Sequence, residues 1–375
     1  MIYLDYSANT PVDARVLEQF CAVERRCIGN ANSHHQAGSA AKAEIDAATI
    51  KIASLLGVQP AEIIYTSGAS EANNFALKGL ARLSRHAGMH IISTPLEHSS
   101  VSGTLTALQE QGYEIDLLDV KQDGTVDLEH LKDLLRPDTI CVAVTLVDSE
   151  LGVVQPVQEI AAILKAYPHC HLHVDATQAV GKIPVSFEGV DTMSLTAHKF
   201  YGLNGIGLLI KRRNLALEPL IHGGESTTIY RSGTPTVALA SSLACALDLA
   251  VTDLPNRVDH VAKLNAELRA ALSTYPLVRI NSPKHAIPHV LNLSVRNVKG
   301  TVFQRELDAK GVCVSVKSAC SSDGLPSRAV FAVSRDRRNA LSSWRISLSH
   351  LTTEDEIKAF LQAFDVCCRE LTAVH

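Results

Sequence analysis

Two residues set the chemistry this sequence can do: Asp175, which closes the apolar run HLHVD, and Lys199, inside SLTAHKFYGLNGIGLLI. Taken singly, an aspartate after a strand reads as a helix N-cap, and a lysine reads as a solvated surface cation. Taken together they supply what a protein must give pyridoxal phosphate. The lysine forms a Schiff base, and the acid keeps the pyridine nitrogen protonated so that the ring accepts electrons. Neighbouring residues fit the same use. Thr196 and His198 precede the lysine and can bind a phosphate, while Gly202, Gly205 and Gly207 turn the chain back into an apolar strand. Gln178 follows Asp175 closely enough to turn back and bond the ring's phenolic oxygen. His98, in PLEHSS, carries an imidazole with an ordinary pKa near neutrality, suited to stacking on a ring and moving protons.

Positioning these groups falls to an alternation of strands and helices. EIIYT leads through a glycine turn into a helix beginning near Ser70, an arrangement whose unpartnered N–H groups and dipole favour an anion. The alternation continues with HIIST, EIDLLDV, TICVAVTLV, HLHVD and TMSLT, mostly separated by helix-length segments. Such a pattern calls for an α/β fold, with a mostly parallel sheet covered by helices on both faces. Ligands collect beyond the carboxyl ends of those strands. Ser70, His98, Asp148, Ser149, Asp175 and Lys199 all fall at or just after such an end, so they are expected to converge on one crevice. Upstream, AGSAAKAEIDAATIKIASLLG has helical spacing and stops at Gly57, a residue suited to the C′ position.

Near Leu254 to Arg257 the alternation ends. NRVDHVAKLNAELRAALS reads as one long helix, followed by strands HVLNLSV, VCVSV and WRISLS and a helix at TVFQRELDAKG. A terminal helix has Thr353 and Glu356 at capping-box spacing. The expected division is a large domain over 15–255 and a smaller α+β domain built from 1–14 and 256–375. A chain of 375 residues exceeds the usual size of a single core.

Composition narrows the function. The chain is 46% hydrophobic and 20% charged with a net charge of −4, and its basic residues form no long run. Direct nucleic-acid or membrane-surface binding therefore has no electrostatic support. MIYLDYSANTP lacks the features of an export signal, so a cytoplasmic protein is expected. Nine cysteines at irregular spacings point to reduced thiols. Cys320, in VSVKSACSSDG, sits in a small polar segment near Lys317, a setting that keeps a thiol accessible and can lower its pKa. Cys141, Cys245 and Cys313 lie in apolar runs and read as packing residues, as do Cys367 and Cys368 on the terminal helix. His34–His35 and the run His169, His171, His173 lack an accompanying carboxylate or cysteine set, so no metal site is expected. Arg345, in WRISLS, offers a planar fork that would clamp a substrate carboxylate or else form a surface ion pair.

Ordered motifs extend this reading. YLDYSANTP, GNANSHH, IIYTSGASEANN, LEHSS, ELGVVQP, HVDATQAVGKIPV, AHKFYGLNGIG, HGGES, RSGTP, SACSS and WRISLS run through nearly the whole chain. In their order and spacing the chain resembles the cysteine desulfurases of the NifS and IscS type, class V enzymes of pyridoxal-phosphate fold type I. The resemblance implies that Lys199 carries the cofactor, Asp175 pairs with its pyridine nitrogen, Gln178 binds its phenolic oxygen and His98 stacks on it as an acid/base. It assigns Ala69, Ser70, Thr196 and His198 to cofactor binding, with Thr234 reaching the phosphate from a second subunit of a homodimer. Arg345 would bind the carboxylate of L-cysteine, and Cys320 would be the nucleophile that takes its sulfur and passes it to an acceptor protein. Two departures stand out. Where the family commonly reads VNNE this chain has Val147, Asp148, Ser149 and Glu150, so Ser149 replaces an asparagine expected at the phenolic oxygen. Before the catalytic cysteine, Val316 and Lys317 replace a common Ser-Gly pair. A selenocysteine or cysteine-sulfinate lyase, or a small aminotransferase, would need Lys199 and Asp175 but not Cys320.

Overall fold

The computed structural model describes residues 1–317 and 324–372. Cys320 therefore lies outside the described residues. Its chain begins with β1 (Ile2–Tyr3), α1 (Ala14–Arg26) and α2 (Gln36–Leu56), and continues through β2 (Ile63–Thr66), α3 (Ala69–Leu83), β3 (His90–Ser93), α4 (Ser99–Gln109), β4 (Glu114–Leu117) and α5 (Leu128–Leu134). Next come β5 (Thr139–Thr145), α6 (Val157–Leu164), β6 (His171–Asp175), β7 (Thr192–Thr196) and β8 (Gly207–Lys211). Helix α2 ends at Gly57 in the left-handed conformation (φ 67°), as its sequence predicts.

Strands β2 to β8 form a seven-stranded sheet in the order β2-β8-β7-β6-β5-β3-β4. β8 is antiparallel to both its neighbours, and the pairs from β7 to β4 are parallel. The reversal follows from the glycine turn after Lys199, which brings the chain straight back beside β7. Sheet faces covered by helices bury both sides of a strand, which is why every residue of β5, TICVAVT, is buried. One core joins Val142, Val144, Leu172, Val174, Leu195 and Leu208 to Leu243 and Leu247 of α7 (Val237–Thr252). The other face of the sheet packs Ile91, Ile140 and Ala143 against Phe75, Leu77 and Leu80 of α3.

Helix α8 (Leu254–Leu272) opens the second arrangement, followed by β9 (Val278–Ile280), β10 (Val290–Val295), α9 (Gly300–Ala309), β11 (Val312–Cys313), α10 (Arg328–Ser334), α11 (Arg337–Ser342), β12 (Ser343–Ser347) and α12 (Glu354–Thr372). Its antiparallel sheet has the order β12-β10-β9, and its core stacks Phe303 on Trp344 at 5.2 Å between ring centroids, with Phe360 and Phe364 beside them. Leu4 joins this core, placing the N-terminal strand with the C-terminal third of the chain. The capping box at α12 forms as expected: Glu356 N donates to Thr353 Oγ1 at 3.2 Å and Thr353 N to Glu356 Oε2 at 2.9 Å.

One strand differs from its sequence reading. VCVSV forms only the two-residue β11, which pairs in parallel with β1 instead of joining the antiparallel sheet. Beyond it the chain crosses to β12, where Ser315 and Arg345 exchange backbone hydrogen bonds (Arg345 N to Ser315 O 2.6 Å). Two cysteines also differ. Cys141 is buried, but Cys245, on α7, and Cys313 are only half-buried, the latter because β11 belongs to a two-stranded sheet at the edge of the core. No single helix among the described residues is long and apolar enough to cross a membrane.

Candidate active site

A cavity of about 360 Å³ opens where the parallel strands end. Lys199, Asp175, His98, Ser149, Gln178 and Arg345 all line it, and so do Ala69 and Ser70 at the start of α3 and Thr196 and His198 after β7. The topology thus brings together the candidate groups named from the sequence except Asp148, Thr234 and Cys320; Asp148, expected at the crevice, is instead fully buried behind it. Thr234 lines an adjoining hollow with Arg231, and Ser67 is shared by both openings.

One end of the cavity is built for an anion. Helix α3 has Gly68 as its N-cap without a side-chain hydrogen bond, so its first amide groups face the opening. Gly207 must be glycine for this turn to form, since a Cβ there would lie 2.7 Å from the Gly68 Cα. Beside it, Thr196 Oγ1 donates to Ile206 O at 3.1 Å, which leaves that oxygen to accept from His198 Nδ1, also at 3.1 Å. Burial, with Lys199 and Lys182 nearby, pushes the His198 pKa down to about 4, so its ring is neutral at physiological pH.

Asp175 lines the same cavity and is tied to the next turn of α3. Asn73, one turn after Ser70, donates from Nδ2 to Asp175 Oδ2 at 2.8 Å, and Thr177 N donates to Oδ1 at 2.9 Å. Asn73 Oδ1 in turn accepts from Ser194 Oγ and from His173 Nε2 at 3.0 Å. Burial lowers the His173 pKa, so this ring acts as a neutral donor that fixes the asparagine amide. The network holds Asp175 in one orientation, with donors on both oxygens.

Lys199 follows β7 in a single 3-10 turn, and its Nζ donates to Ser7 O at 2.8 Å and Ala8 O at 2.6 Å. Gln178 Nε2 donates to Ser7 O at 2.9 Å. Its orientation is set by Lys182, which is only 5% exposed and donates from Nζ to Gln178 Oε1 at 2.9 Å. A carbonyl can only accept, so the amide hydrogens must face Ser7 and the amide oxygen must face Lys182. Burial pushes the Lys182 pKa down to about 7. His98 caps α4 and accepts from Ser100 N at Nδ1, at 3.1 Å, which places the proton of its neutral ring on Nε2. Burial lowers its pKa, outweighing the upward pull of Asp175.

Arg345 is no surface ion pair: it is 2% exposed, donating to Ser149 O at 2.7 Å and to Asp5 Oδ1 at 3.0 Å, with Nε unpartnered among the described residues. Asp5 also accepts from Ser315 Oγ at 2.7 Å. A substrate carboxylate therefore has to share or replace Asp5 on the guanidinium. Asn73, Lys182, Asp5 and the carbonyls of Ser7 and Ala8 were not singled out from the sequence. The only signals for them were a polar residue on the apolar face of α3, and the motifs GKIPV and YLDYSANTP taken whole.

Asp148, where the resemblance implies asparagine, is fully buried with Oδ1 3.3 Å from Glu150 N. Burial, reinforced by Glu150, pushes its carboxyl up to about 7, and burial pushes nearby Glu97 up to about 8. A raised carboxyl keeps its proton in the folded state while the unfolded chain has lost it. Stability from this source is complete below the ordinary carboxylate range and is lost as pH rises towards these values. Asp148→Asn is thus expected to raise the melting temperature by about 2 °C or more near pH 8 and to change it little near pH 5. Scanning calorimetry checks this, and an equal effect at both pH values would refute it.

The fold and this constellation define a class of α/β enzymes with a lysine and an aspartate at adjoining strand ends. The family profile described as aminotransferase class-V matches residues 2–360, and the chain belongs to that family. It is 40% identical over 365 residues to a protein of Proteus mirabilis named cysteine desulfurase IscS, covering 95% of this chain and 90% of that one. A protein of the same name from Dictyoglomus turgidum is 35% identical over 378 residues, covering 100% and 96%. A solved structure titled NifS-like protein superposes with a TM-score of 0.92 at 35% identity, covering all of both chains.

Proposed function

We propose that the protein is a pyridoxal-phosphate-dependent cysteine desulfurase, which converts L-cysteine to L-alanine and keeps the sulfur as a persulfide on Cys320. The observation that carries this is the meeting of Lys199, Asp175 and Arg345 in one cavity. Ser315, at the foot of the segment bearing Cys320, is bonded to the same Arg345. The donor set fits the cofactor: the amide groups and Ser70 hydroxyl at the start of α3 for the phosphate, joined by Thr196 once its hydroxyl turns from Ile206 O, Asp175 for the pyridine nitrogen, the Gln178 amide for the phenolic oxygen, and Lys199 for the covalent link. When bound, pyridoxal phosphate supplies an electron sink next to the substrate Cα.

The chain's own groups do the rest. Arg345 binds the substrate carboxylate bidentately as Asp5 gives way. Lys199, guided by the Ser7 and Ala8 carbonyls, moves the Cα proton. His98 offers its Nε2 hydrogen to the cavity. The Cys320 thiolate attacks the substrate sulfur, so an S–S bond forms as the C–S bond breaks. Alanine leaves, and the persulfide passes to an acceptor such as an iron–sulfur scaffold, a carrier or a tRNA-thiolating enzyme. The same reading includes a cytoplasmic homodimer in which Thr234 of one subunit serves the other's phosphate. It also includes the division into a large domain, 15–255, and a small one, 1–14 with 256–375. The test is to supply L-cysteine to the purified, cofactor-loaded protein with a reducing thiol present. Equal amounts of alanine and sulfide are expected, and failure to form alanine overturns the assignment.

A further inference from the structure

The part of the molecule built on α8 to α12 carries a second opening that the chemistry above does not use. A cleft of about 410 Å³ lies between β9, the end of β10 and α11, lined by Arg279, Arg296, Lys299 and Arg338 together with Leu277 and Leu341. All four cations are exposed. The ion pairs formed by basic residues of this region among the described residues involve Arg257, Lys310, Arg335, Arg345, Lys358 and Arg369 instead. Among the described residues the cleft has one acid against its four cations, Asp336, which caps α11 with Oδ1 accepting from Arg338 N at 2.9 Å and Asn339 N at 3.1 Å.

The walls are fixed before any ligand arrives. Asn339 Nδ2 donates to Asn281 Oδ1 at 2.9 Å, Asn281 Nδ2 donates to Ser294 Oγ at 2.8 Å, and Ser294 Oγ donates to Asn339 O at 3.1 Å. This ring of side chains ties α11 to the sheet and lowers the ordering cost of binding. Lys299 leads into Gly300, which lies so close to β12 that an added Cβ would come within 2.2 Å of Ser343 O and 3.3 Å of Val316 Cγ1. The rim of the cleft thus packs against the chain that leads into the Cys320 segment.

We propose that this cleft is the docking site for an acidic segment, a run of Asp and Glu side chains, on the protein that accepts sulfur from Cys320. The chain carries a net charge of −4, so an acidic partner is repelled by the molecule as a whole and steered to a local cluster in which cations outnumber acids. Among the described residues no aromatic side chain lines the cleft, so these residues offer no platform for the base stacking that single-stranded nucleic acid uses. The inference rests on the desulfurase reading for its partner, and its test is separable from that reading.

Fluorescein-labelled hexaglutamate is titrated with the full-length, cofactor-loaded protein and followed by fluorescence polarisation at low and at physiological ionic strength. Saturable binding that weakens with salt is expected, and the double variant Arg279→Glu/Arg296→Glu should bind at least about tenfold more weakly. Both positions are exposed and away from the cavity, so alanine production from L-cysteine should be unchanged in the variant. Absence of saturable binding, or equal binding by the variant, overturns the proposal. Tighter binding of labelled hexauridylate that the same variant loses also overturns it, in favour of a nucleic-acid site. If the wild type makes alanine but binds no peptide, only the docking proposal fails; if it makes no alanine, the desulfurase reading fails whatever the peptide does.

Discussion

Cys320→Ser is expected to bind pyridoxal phosphate normally, and to change the cofactor's absorbance on adding L-cysteine, while losing alanine production by about a thousandfold or more. The size follows from what is removed. A serine hydroxyl is not ionised at neutral pH and is a poor attacker at sulfur, whereas the thiolate is both available and strongly nucleophilic. Binding should survive, because the cofactor and carboxylate contacts described above come from residues elsewhere in the chain. Position permits the role. Ser315 is bonded to Arg345 at the cavity, and the five residues from there to Cys320 span at most about 17 Å when extended. Three of the other cysteines are unsuited to the task. Burial pushes Cys170 up to about 12 and Cys367 up to about 11, and Cys141 is fully buried on β5. Mass spectrometry after turnover should find one added sulfur on the peptide containing Cys320, removable by a reducing thiol. Full alanine production by the variant would instead support a lyase or aminotransferase.

How much of this was legible in the sequence depended on whether a signal was local. Strand ends could be placed because runs such as TICVAVT and HLHVD are apolar and bounded by turn residues. Once the alternation fixed a mostly parallel sheet, Ser70, His98, Asp175 and Lys199 had to meet at its carboxyl edge. The glycine turn after Lys199 likewise gave the reversal of β8. What the sequence hid were contacts set by tertiary packing. Nothing local marks Asn73 as the residue that orients Asp175, because its partners Ser194 and His173 come from other strands. Lys182 looks like a surface lysine until the fold buries it against Gln178. Asp5 meets Arg345 only because the N-terminal strand crosses to the C-terminal third of the chain. VCVSV misled for a related reason: its β-branched pattern fits a strand, but the partner available was the short β1, and β12 claimed Ser315 instead.

Lys199→Ala carries the other large effect, a fall in alanine production of about a thousandfold or more with loss of the covalent link to the cofactor. In the wild type, borohydride should fix the cofactor to the peptide containing Lys199 and to no other. Lys182 is the natural competitor, being buried near the same cavity with its pKa pushed down to about 7. Geometry decides between them. Lys182 Nζ is held by the Gln178 amide oxygen, on the side of that amide turned away from Ser7, and Lys182 does not line the cavity. Lys199 does line it, with Nζ suspended from the carbonyls of Ser7 and Ala8. Lys182→Met should therefore still be labelled at Lys199. Its altered Gln178 orientation should shift the pH at which the loaded protein changes colour, because a hydrogen bond to the ionised phenolic oxygen favours that form. Peptide mapping of both variants after borohydride treatment distinguishes the two lysines. Label on the Lys182 peptide, or undiminished labelling of Lys199→Ala, would show that the anchor had been assigned to the wrong residue.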